Sequence, residues 1–296
     1  MFKISYTSLP PFDQYFEPKT VEETVSLLKR YGNNARLLAG GTDLINLQRK
    51  RVVNPKCIIN IMKVSGLDYI RFENNMLSIG ALATLRMVEF SSVIRQEFPV
   101  FFESVHQIGT VQVRNMGTVV GNICRASPAA DTAPPLLMLE SQVEITSAEG
   151  FRMVPLERFF QGPGETVLKP SEMVTQILIK KPPPFSGTAF LRLSRSAVDL
   201  AKVSVASLVT IDKGVWKKAR IAIGGVAPTP IRARNVEIIL EGKRIDKHTV
   251  NEACQAIVVN PITDVRSTES YRREMAKILA RNAIDIATER AADKMI

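Results

Sequence analysis

The apolar positions near the start of the chain predict an amphipathic helix. Thr20 and Glu23 have the Thr-x-x-Glu spacing of a capping box, which is a common start of a helix. Val25 and Leu28 then fall on one helical face, and Gly32 is the residue type that often ends a helix. We therefore predict one helix, from Thr20 to Gly32, with one face buried.

Two apolar runs after this helix, ARLLAGG and residues 56–61, predict short strands, with a helical stretch over Asp43–Lys50 between them. Residues 1–61 therefore form a small β/α unit. The next segment, residues 75–85, predicts a strand, a turn and a helix that begins at Thr84. Later segments predict a helix over 99–109, a hairpin over 141–156 that turns at Glu149-Gly150, and a strand that ends before the linker Pro182-Pro183-Pro184.

The residues after the triproline predict three antiparallel strands, followed by helices to the end of the chain. The strands are residues 188–195, 203–214 and 215–227, with a hairpin turn at 212–214. We predict an α+β fold in two domains, residues 1–177 and 178–296. The first domain divides into subdomains of about 1–61 and 62–177.

Composition indicates a globular protein of a reducing compartment. The chain has 296 residues, of which 45% are hydrophobic, and its longest apolar runs are too short to cross a bilayer. The first residues lack the apolar core of a signal peptide. Cys57, Cys124 and Cys254 are scattered without a Cys-x-x-Cys spacing, a usage typical of a reducing environment. We expect no membrane span and a cytoplasmic location.

The charge balance favours an anionic partner but disfavours nucleic acid. Thirty-nine basic residues against 29 acidic ones give a net charge of +10. The basic residues form short clusters without interleaved aromatic residues, so we expect an anionic cofactor or an acidic partner subunit rather than nucleic acid. His106 and His248 stand far apart, and no pattern predicts a metal site or a Ser/His/Asp triad.

Two glycines interrupt the chain directly after a predicted strand, in the first bend (Leu38–Asp43). Gly40 and Gly41 have no Cβ atom, so a ligand can approach their backbone closely. Successive amide groups at such a turn can hold phosphate oxygens, and Thr42 adds a hydroxyl. The alternative is a simple tight turn, and neither a GxGxxG nor a GxxxxGK[ST] motif is present.

The second segment (residues 114–131) concentrates turn-forming and polar residues. Gly117, Thr118, Gly121 and Asn122 fall within six residues, a composition that we interpret as a loop under a polar ligand rather than a buried helix. Asp131, at the end of the segment, could bind a ligand hydroxyl or a ring N–H. The alternative is an irregular surface loop.

Four stretches together resemble the FAD-binding medium subunit of molybdenum hydroxylases, the family of xanthine dehydrogenase and carbon monoxide dehydrogenase. They are ARLLAGGTDL, IGALATL, VRNMGTVVGNICRASPAADTAPPLLML and GGVAPTPIRARNVE, in the family's order over about residues 10–290. The resemblance implies the two-subdomain FAD-binding fold of vanillyl-alcohol oxidase and UDP-N-acetylenolpyruvoylglucosamine reductase, followed by a C-terminal domain with a three-stranded antiparallel sheet and helices.

The resemblance also assigns residues to FAD, with the pyrophosphate at the first bend. The assigned residues are Leu38, Ala39, Gly40, Gly41, Thr42 and Asp43 in the first bend, Thr118, Gly121, Asn122, Cys124, Arg125 and Asp131 in the second segment, and Arg192 in the last domain. Val120 stands where the family usually has a glycine, and a β-branched residue there is expected to shift the local ligand contacts. The resemblance implies no catalytic residue and no metal ligand in this chain.

The function that the resemblance implies is electron transfer. A molybdopterin large subunit would oxidise the substrate, and a small subunit with [2Fe-2S] clusters would pass the electrons to FAD in this chain. The FAD would reduce NAD(P)+ or a quinone, in a heterotrimer or a dimer of heterotrimers. The alternative is a stand-alone FAD-dependent oxidoreductase of the same fold.

Overall fold

The computed structural model describes residues 12–294, which form sheets of three, five, four and two strands. The outer ends of the two predicted domains, residues 1–11 and 295–296, lie outside this range. No helix in the described part of the chain is long and apolar enough to cross a membrane.

The first unit is a parallel three-stranded sheet with its helices. Its elements are β1 (Gln14–Phe16), α1 (Val21–Tyr31), β2 (Ala35–Leu38), α2 (Leu44–Arg49) and β3 (Cys57–Asn60), with the strand order β1-β3-β2. The capping prediction for α1 is confirmed, because Thr20 Oγ1 accepts a hydrogen bond of 3.2 Å from the Glu23 amide. Val25 and Leu28 are buried, so the predicted apolar face packs into the core.

The second unit places six short helices beside an antiparallel sheet of five strands. The helices are α3 (Leu85–Phe90), α4 (Ser92–Glu97), α5 (Pro99–His106), α6 (Val111–Met116), α7 (Val119–Cys124) and α8 (Ala133–Met138). The strands of the sheet are β4 (Ile70–Glu73), β5 (Met76–Gly80), β6 (Gln142–Ser147), β7 (Gly150–Pro155) and β10 (Met173–Lys180). Their order in the sheet is β4-β5-β10-β6-β7. A separate pair joins β8 (Phe160–Gly162) to β9 (Glu165–Thr166). The predicted hairpin and the helix start at Thr84 are confirmed.

The third unit is an antiparallel sheet backed by a long helix. The predicted strands are confirmed as β11 (Ser186–Leu193), β12 (Val203–Asp212) and β13 (Val215–Gly224), and a two-residue strand, β14 (Ile231–Arg232), extends the sheet. The helices are α9 (Arg234–Leu240), α10 (Lys247–Gln255) and α11 (Glu269–Asp293). Helix α11 packs closely against β11 at Gly187, since a Cβ atom on this residue would overlap the carbonyl group of Ala287. Ser207 Oγ also donates a 2.6 Å hydrogen bond to the Ala283 carbonyl.

The prediction of a loop over the second segment is wrong, because α6 and α7 are helices separated by a bend at Gly117. Thr118 caps α7 through a 2.9 Å hydrogen bond from the Gly121 amide to Thr118 Oγ1. In α7, Val120 and Ile123 are buried while Gly121 is exposed. The glycine therefore lies on the outer face of a short helix, where it does not interrupt the core.

The triproline lies between β10, which ends at Lys180, and β11, which begins at Ser186. Strand β10 continues across residue 177, pairing with β6 as far as Leu178 and with β5 as far as Lys180. We therefore propose that the domain division lies at Pro182–Pro184, between β10 and β11. For the same reason we propose that the first subdomain ends after β3 at about residue 61, where the parallel sheet ends.

A buried ion-pair network joins α3, α5 and α6. Glu89 is 6% exposed and accepts hydrogen bonds from Arg86 Nη1 at 2.7 Å, Arg114 Nε at 3.0 Å and His106 Nδ1 at 2.8 Å. Burial raises the pKa of Glu89, but the hydrogen bonds from Arg86, Arg114 and His106 outweigh it and hold the pKa at about 2. The ionised carboxylate is therefore the form that the fold stabilises.

We predict that Glu89→Gln lowers the free energy of unfolding at neutral pH by about 3 kcal/mol, because Arg114 is left buried without its counter-charge. The pKa is lower in the folded state, so the stabilisation is present above the ordinary pKa of 4.5 and disappears as the pH falls towards 2. Urea denaturation of both proteins across this pH range measures the difference.

The matched control is Glu149→Gln. Glu149 forms an ion pair with Lys29 at 2.8 Å, but both side chains are more than half exposed. Such exposed pairs are screened by solvent and contribute little to stability. Equal losses for the two variants, or a loss for Glu89→Gln that does not shrink as the pH falls, would contradict the assigned role of Glu89.

Candidate functional site

The first bend presents backbone amide groups that bond to nothing else in the described structure. It connects the end of β2 to the start of α2, and Gly41 adopts a φ of +70°, which favours glycine. The amides of residues 40–43 donate no hydrogen bond to any group among residues 12–294. These residues are half-buried apart from Asp43, which is exposed. Free, closely spaced backbone donors are what an anionic group such as a diphosphate requires.

The two predicted segments meet at Gly40. A Cβ atom on this residue would overlap the carbonyl oxygen of Met116 and would lie 3.1 Å from the Gly117 amide. Thr42 Oγ1 lies beside Gly117, 3.5 Å from where a Cβ atom on that glycine would be. Gly40 is therefore required for contact between the segments, in addition to any contact with a ligand.

The backbone around Gly117 is held by the loop before α3. The Leu85 amide donates to the Gly117 carbonyl at 2.8 Å, and the Val119 amide donates to the Ala83 carbonyl at 3.1 Å. These bonds leave the amides of Thr118 and Val120 without an acceptor in the described range. The second segment thus adds free donors next to the first bend.

Val120, the residue at the usual glycine position, does not obstruct this surface. Its side chain is only 5% exposed and belongs to the main apolar core, whereas the neighbouring Gly121 is exposed. The Val120 side chain therefore fills space inside the domain and leaves its amide free.

Three further predicted residues, Arg125, Asn122 and Cys124, lie in different surroundings. Arg125 Nε lies 3.6 Å from Asp43 Oδ1, which links the second segment to the first bend. Asn122 Oδ1 accepts a 2.6 Å hydrogen bond from Thr132. Burial raises the pKa of the Cys124 thiol to about 12, so this group is neutral at physiological pH.

Asp131 and Arg192 come from different domains and pair with each other. Arg192 Nη1 lies 3.2 Å from Asp131 Oδ2, with the side chains 4% and 5% exposed. Arg192 also donates to the carbonyl groups of Gln107 and Asp199. Asp131 Oδ1 and Arg192 Nε have no partner of normal hydrogen-bond geometry among residues 12–294. The groups that contact the Arg192 guanidinium are protein groups of both domains.

Burial is the main influence on Asp131. It raises the pKa of this carboxyl to about 6, and the nearby Arg192 and Ser204 offset it only in part. Ser204 Oγ itself makes no hydrogen bond of normal geometry within the described structure. Asp131 is therefore a strongly desolvated group inside the second segment.

Sequence reasoning missed residues that act through their backbone or through distant partners. Met116 contributes a carbonyl oxygen, which no side-chain pattern reveals. The carbonyls of Ile108 and Gly109 accept hydrogen bonds from buried Arg114, at 3.0 and 3.3 Å. No sequence signal marks Arg114 as buried, because α6 is half polar; its burial follows from the packing around Glu89.

The site suits a dinucleotide better than a metal ion. Free main-chain amides, the hydroxyl of Thr42 and the guanidinium of Arg125 can bind phosphate oxygens at the contact between the two segments. Among residues 12–294, no three His, Cys, Asp or Glu side chains come together in a way that could hold a metal ion.

Family models match nearly the whole chain. The model of the FAD binding domain in molybdopterin dehydrogenase matches residues 10–182, which contain both predicted segments. The model of the CO dehydrogenase flavoprotein C-terminal domain matches residues 188–287. The first match ends at Pro182, so the interval between the two matches begins inside the triproline.

Individual relatives agree with the family models over their full length. The glyceraldehyde dehydrogenase medium chain of Sulfolobus acidocaldarius is 34% identical over 93% of this chain and 98% of its own. The carbon monoxide dehydrogenase medium chain of Afipia carboxidovorans is 32% identical over 96% of this chain and 99% of its own. The solved carbon monoxide dehydrogenase of Hydrogenophaga pseudoflava superposes with a TM-score of 0.93 at 31% identity, covering 96% of this chain and 99% of the matched one.

The order of the glycine segments, the contact between them and the full-length similarities agree with one another. They confirm the two-subdomain FAD-binding fold followed by a flavoprotein C-terminal domain. The chain belongs to the family of FAD-binding medium subunits of molybdenum-dependent dehydrogenases.

Proposed function

We propose that this subunit carries electrons through its FAD from the iron–sulfur clusters of a small subunit to an external acceptor. A molybdopterin large subunit oxidises the substrate in the same complex. The observation that carries the proposal is the contact at Gly40, where the first bend, whose amides donate to no group among residues 12–294, meets the backbone of Met116 and Gly117. The acceptor is NAD(P)+ or a quinone, and the assembly is a heterotrimer or a dimer of heterotrimers.

The names of the relatives support a multisubunit complex. The matched proteins include medium chains, an FAD subunit of nicotinate dehydrogenase and a subunit of the 6-hydroxypseudooxynicotine dehydrogenase complex. One matched structure is a copper- and molybdenum-containing carbon monoxide dehydrogenase. By analogy, we propose that the molybdopterin and the [2Fe-2S] clusters of this complex are held by its partner subunits.

Within this chain the protein binds and orients the cofactor. When bound, FAD supplies the redox chemistry, because it exchanges electrons singly or in pairs. The amides of Gly41 and Thr42 hold the pyrophosphate oxygens, and Arg125 adds a positive charge that Asp43 orients. Thr118 fixes the start of α7 through its hydroxyl. No residue of this chain is assigned an acid–base role.

We assign the remaining predicted contacts to the same cofactor. Leu38 and Ala39 lead the strand into the first bend. In α7, Gly121 is exposed, while Asn122 and Cys124 are half-buried. We propose a cytoplasmic location, which is compatible with three cysteines that form no disulfide.

We predict that Gly40→Val abolishes FAD binding. Its side chain would collide with the Met116 carbonyl and separate the two segments, while the C-terminal sheet remains folded. The FAD content of the purified complex, measured by absorption after release of the cofactor, tests this. Retention of one FAD per chain would show that the first bend is not the phosphate site.

Gly242→Ala is the matched control. Gly242 has a φ of +80° and open space around its Cβ position. The substitution strains the backbone by about 1 kcal/mol without meeting another atom. It should retain FAD, so a loss of FAD in both variants would point to general destabilisation.

We further predict that the complex purified from its natural source contains FAD, molybdenum and iron together. Flavin absorption and elemental analysis measure the three components, and reduction assays with NAD+, NADP+ and a soluble quinone identify the acceptor. A yellow protein without molybdenum or iron would favour the stand-alone oxidoreductase. A colourless protein that takes up no FAD would exclude both.

A further inference from the structure

Arg192 is the one charged side chain of β11 that reaches the second segment within the described structure. It extends from the C-terminal domain to the Asp131 carboxylate, at 3.2 Å, and to the Gln107 carbonyl at the end of α5. The same guanidinium binds the Asp199 carbonyl in its own domain. One planar group thus connects three chain segments, a geometry that arginine permits and lysine does not.

The chain at Asp131 and Thr132 connects this guanidinium to α7. The next residue, Thr132, donates a 2.6 Å hydrogen bond to Asn122 Oδ1 in α7. The Pro128 carbonyl, in the same segment, accepts a 2.7 Å hydrogen bond from the Gly225 amide of the C-terminal domain. The end of the second segment is therefore held on one side by α7 and on the other by the C-terminal domain.

The Gln107 carbonyl belongs to a second support of the same region. The following carbonyls, of Ile108 and Gly109, accept hydrogen bonds from Arg114 in α6, the helix that ends at Met116. Arg192 therefore contacts both Asp131 and the connection between α5 and α6.

The domains have other contacts that do not involve the second segment. Arg290 pairs with Glu103 at 2.7 Å, and Glu103 also accepts a hydrogen bond from the Phe190 amide at 3.2 Å. Arg220 pairs with Glu140 at 2.5 Å. Loss of Arg192 should therefore leave the two domains docked.

We propose that Arg192 is a positioning residue for FAD, which acts from the C-terminal domain through Asp131 and the Gln107 carbonyl. It holds the second segment in its binding geometry, and it makes FAD affinity depend on how the C-terminal domain is seated. This inference rests on the proposed function, and it replaces the direct contact between Arg192 and FAD that the sequence predicted with an indirect one.

The test compares Arg192→Met, Arg192→Lys and Asp131→Asn in the assembled complex. The FAD dissociation constant, measured by adding FAD to cofactor-depleted protein, should rise about tenfold or more for Arg192→Met, as is typical when a supporting residue is lost. Arg192→Lys should show a smaller rise, because it keeps the charge but not the three-way contact. The double variant Asp131→Asn/Arg192→Met should have the same FAD dissociation constant as Arg192→Met, because the contact between Asp131 and Arg192 is already lost in the single variant.

Arg290→Met is the matched control, because it removes an interdomain ion pair that contacts neither predicted segment. We expect its FAD dissociation constant to match that of the unaltered complex. Equal FAD affinity in Arg192→Met and the unaltered complex, with only a lower melting temperature, would overturn the proposal. An unaltered complex that binds no FAD would instead refute the proposed function.

Discussion

The close approach of two main-chain segments at Gly40 is the constraint on which the candidate site depends. A side chain at this position would occupy the place of the Met116 carbonyl oxygen, so the contact exists only with glycine. The contact joins the first bend, with its free amides, to the backbone that leads into α7, where the amides of Thr118 and Val120 have no acceptor among residues 12–294. Because both sets belong to the backbone, their positions follow from packing, and the helices around them have to be rigid.

Buried charges supply much of that rigidity. The Glu89 carboxylate accepts bonds from Arg86 and Arg114, and Arg114 in turn holds the connection that precedes α6. Such a network is costly to break, because removing one member leaves the others desolvated without a partner. It therefore keeps α6, and with it Met116, in one position relative to the first bend. Arg192 adds a similar constraint from the C-terminal domain.

The site could be predicted in part because glycine, threonine and asparagine have strong local preferences. The structure confirms the predicted glycine turn between a strand and a helix at the first bend. The composition of the second segment predicts a loop, but Thr118 caps a helix whose buried face is Val120 and Ile123. Over six residues, the helical spacing of apolar positions is a weaker signal than the loop preference of two glycines. The pairing of Asp131 with Arg192 joins residues 61 positions apart on different domains, so no local pattern indicated it.

The sequence alone predicted the capped helix α1, the β6–β7 hairpin, the three strands β11 to β13 and the family to which the chain belongs. These properties follow from local periodicity, capping residues and the order of short motifs. Only the tertiary structure decided which backbone groups remain free, that Gly40 meets Met116, and that Arg192 contacts protein groups. The physical reason is that unpaired amides and shared buried charges result from how distant segments pack, and packing is not encoded in any one segment.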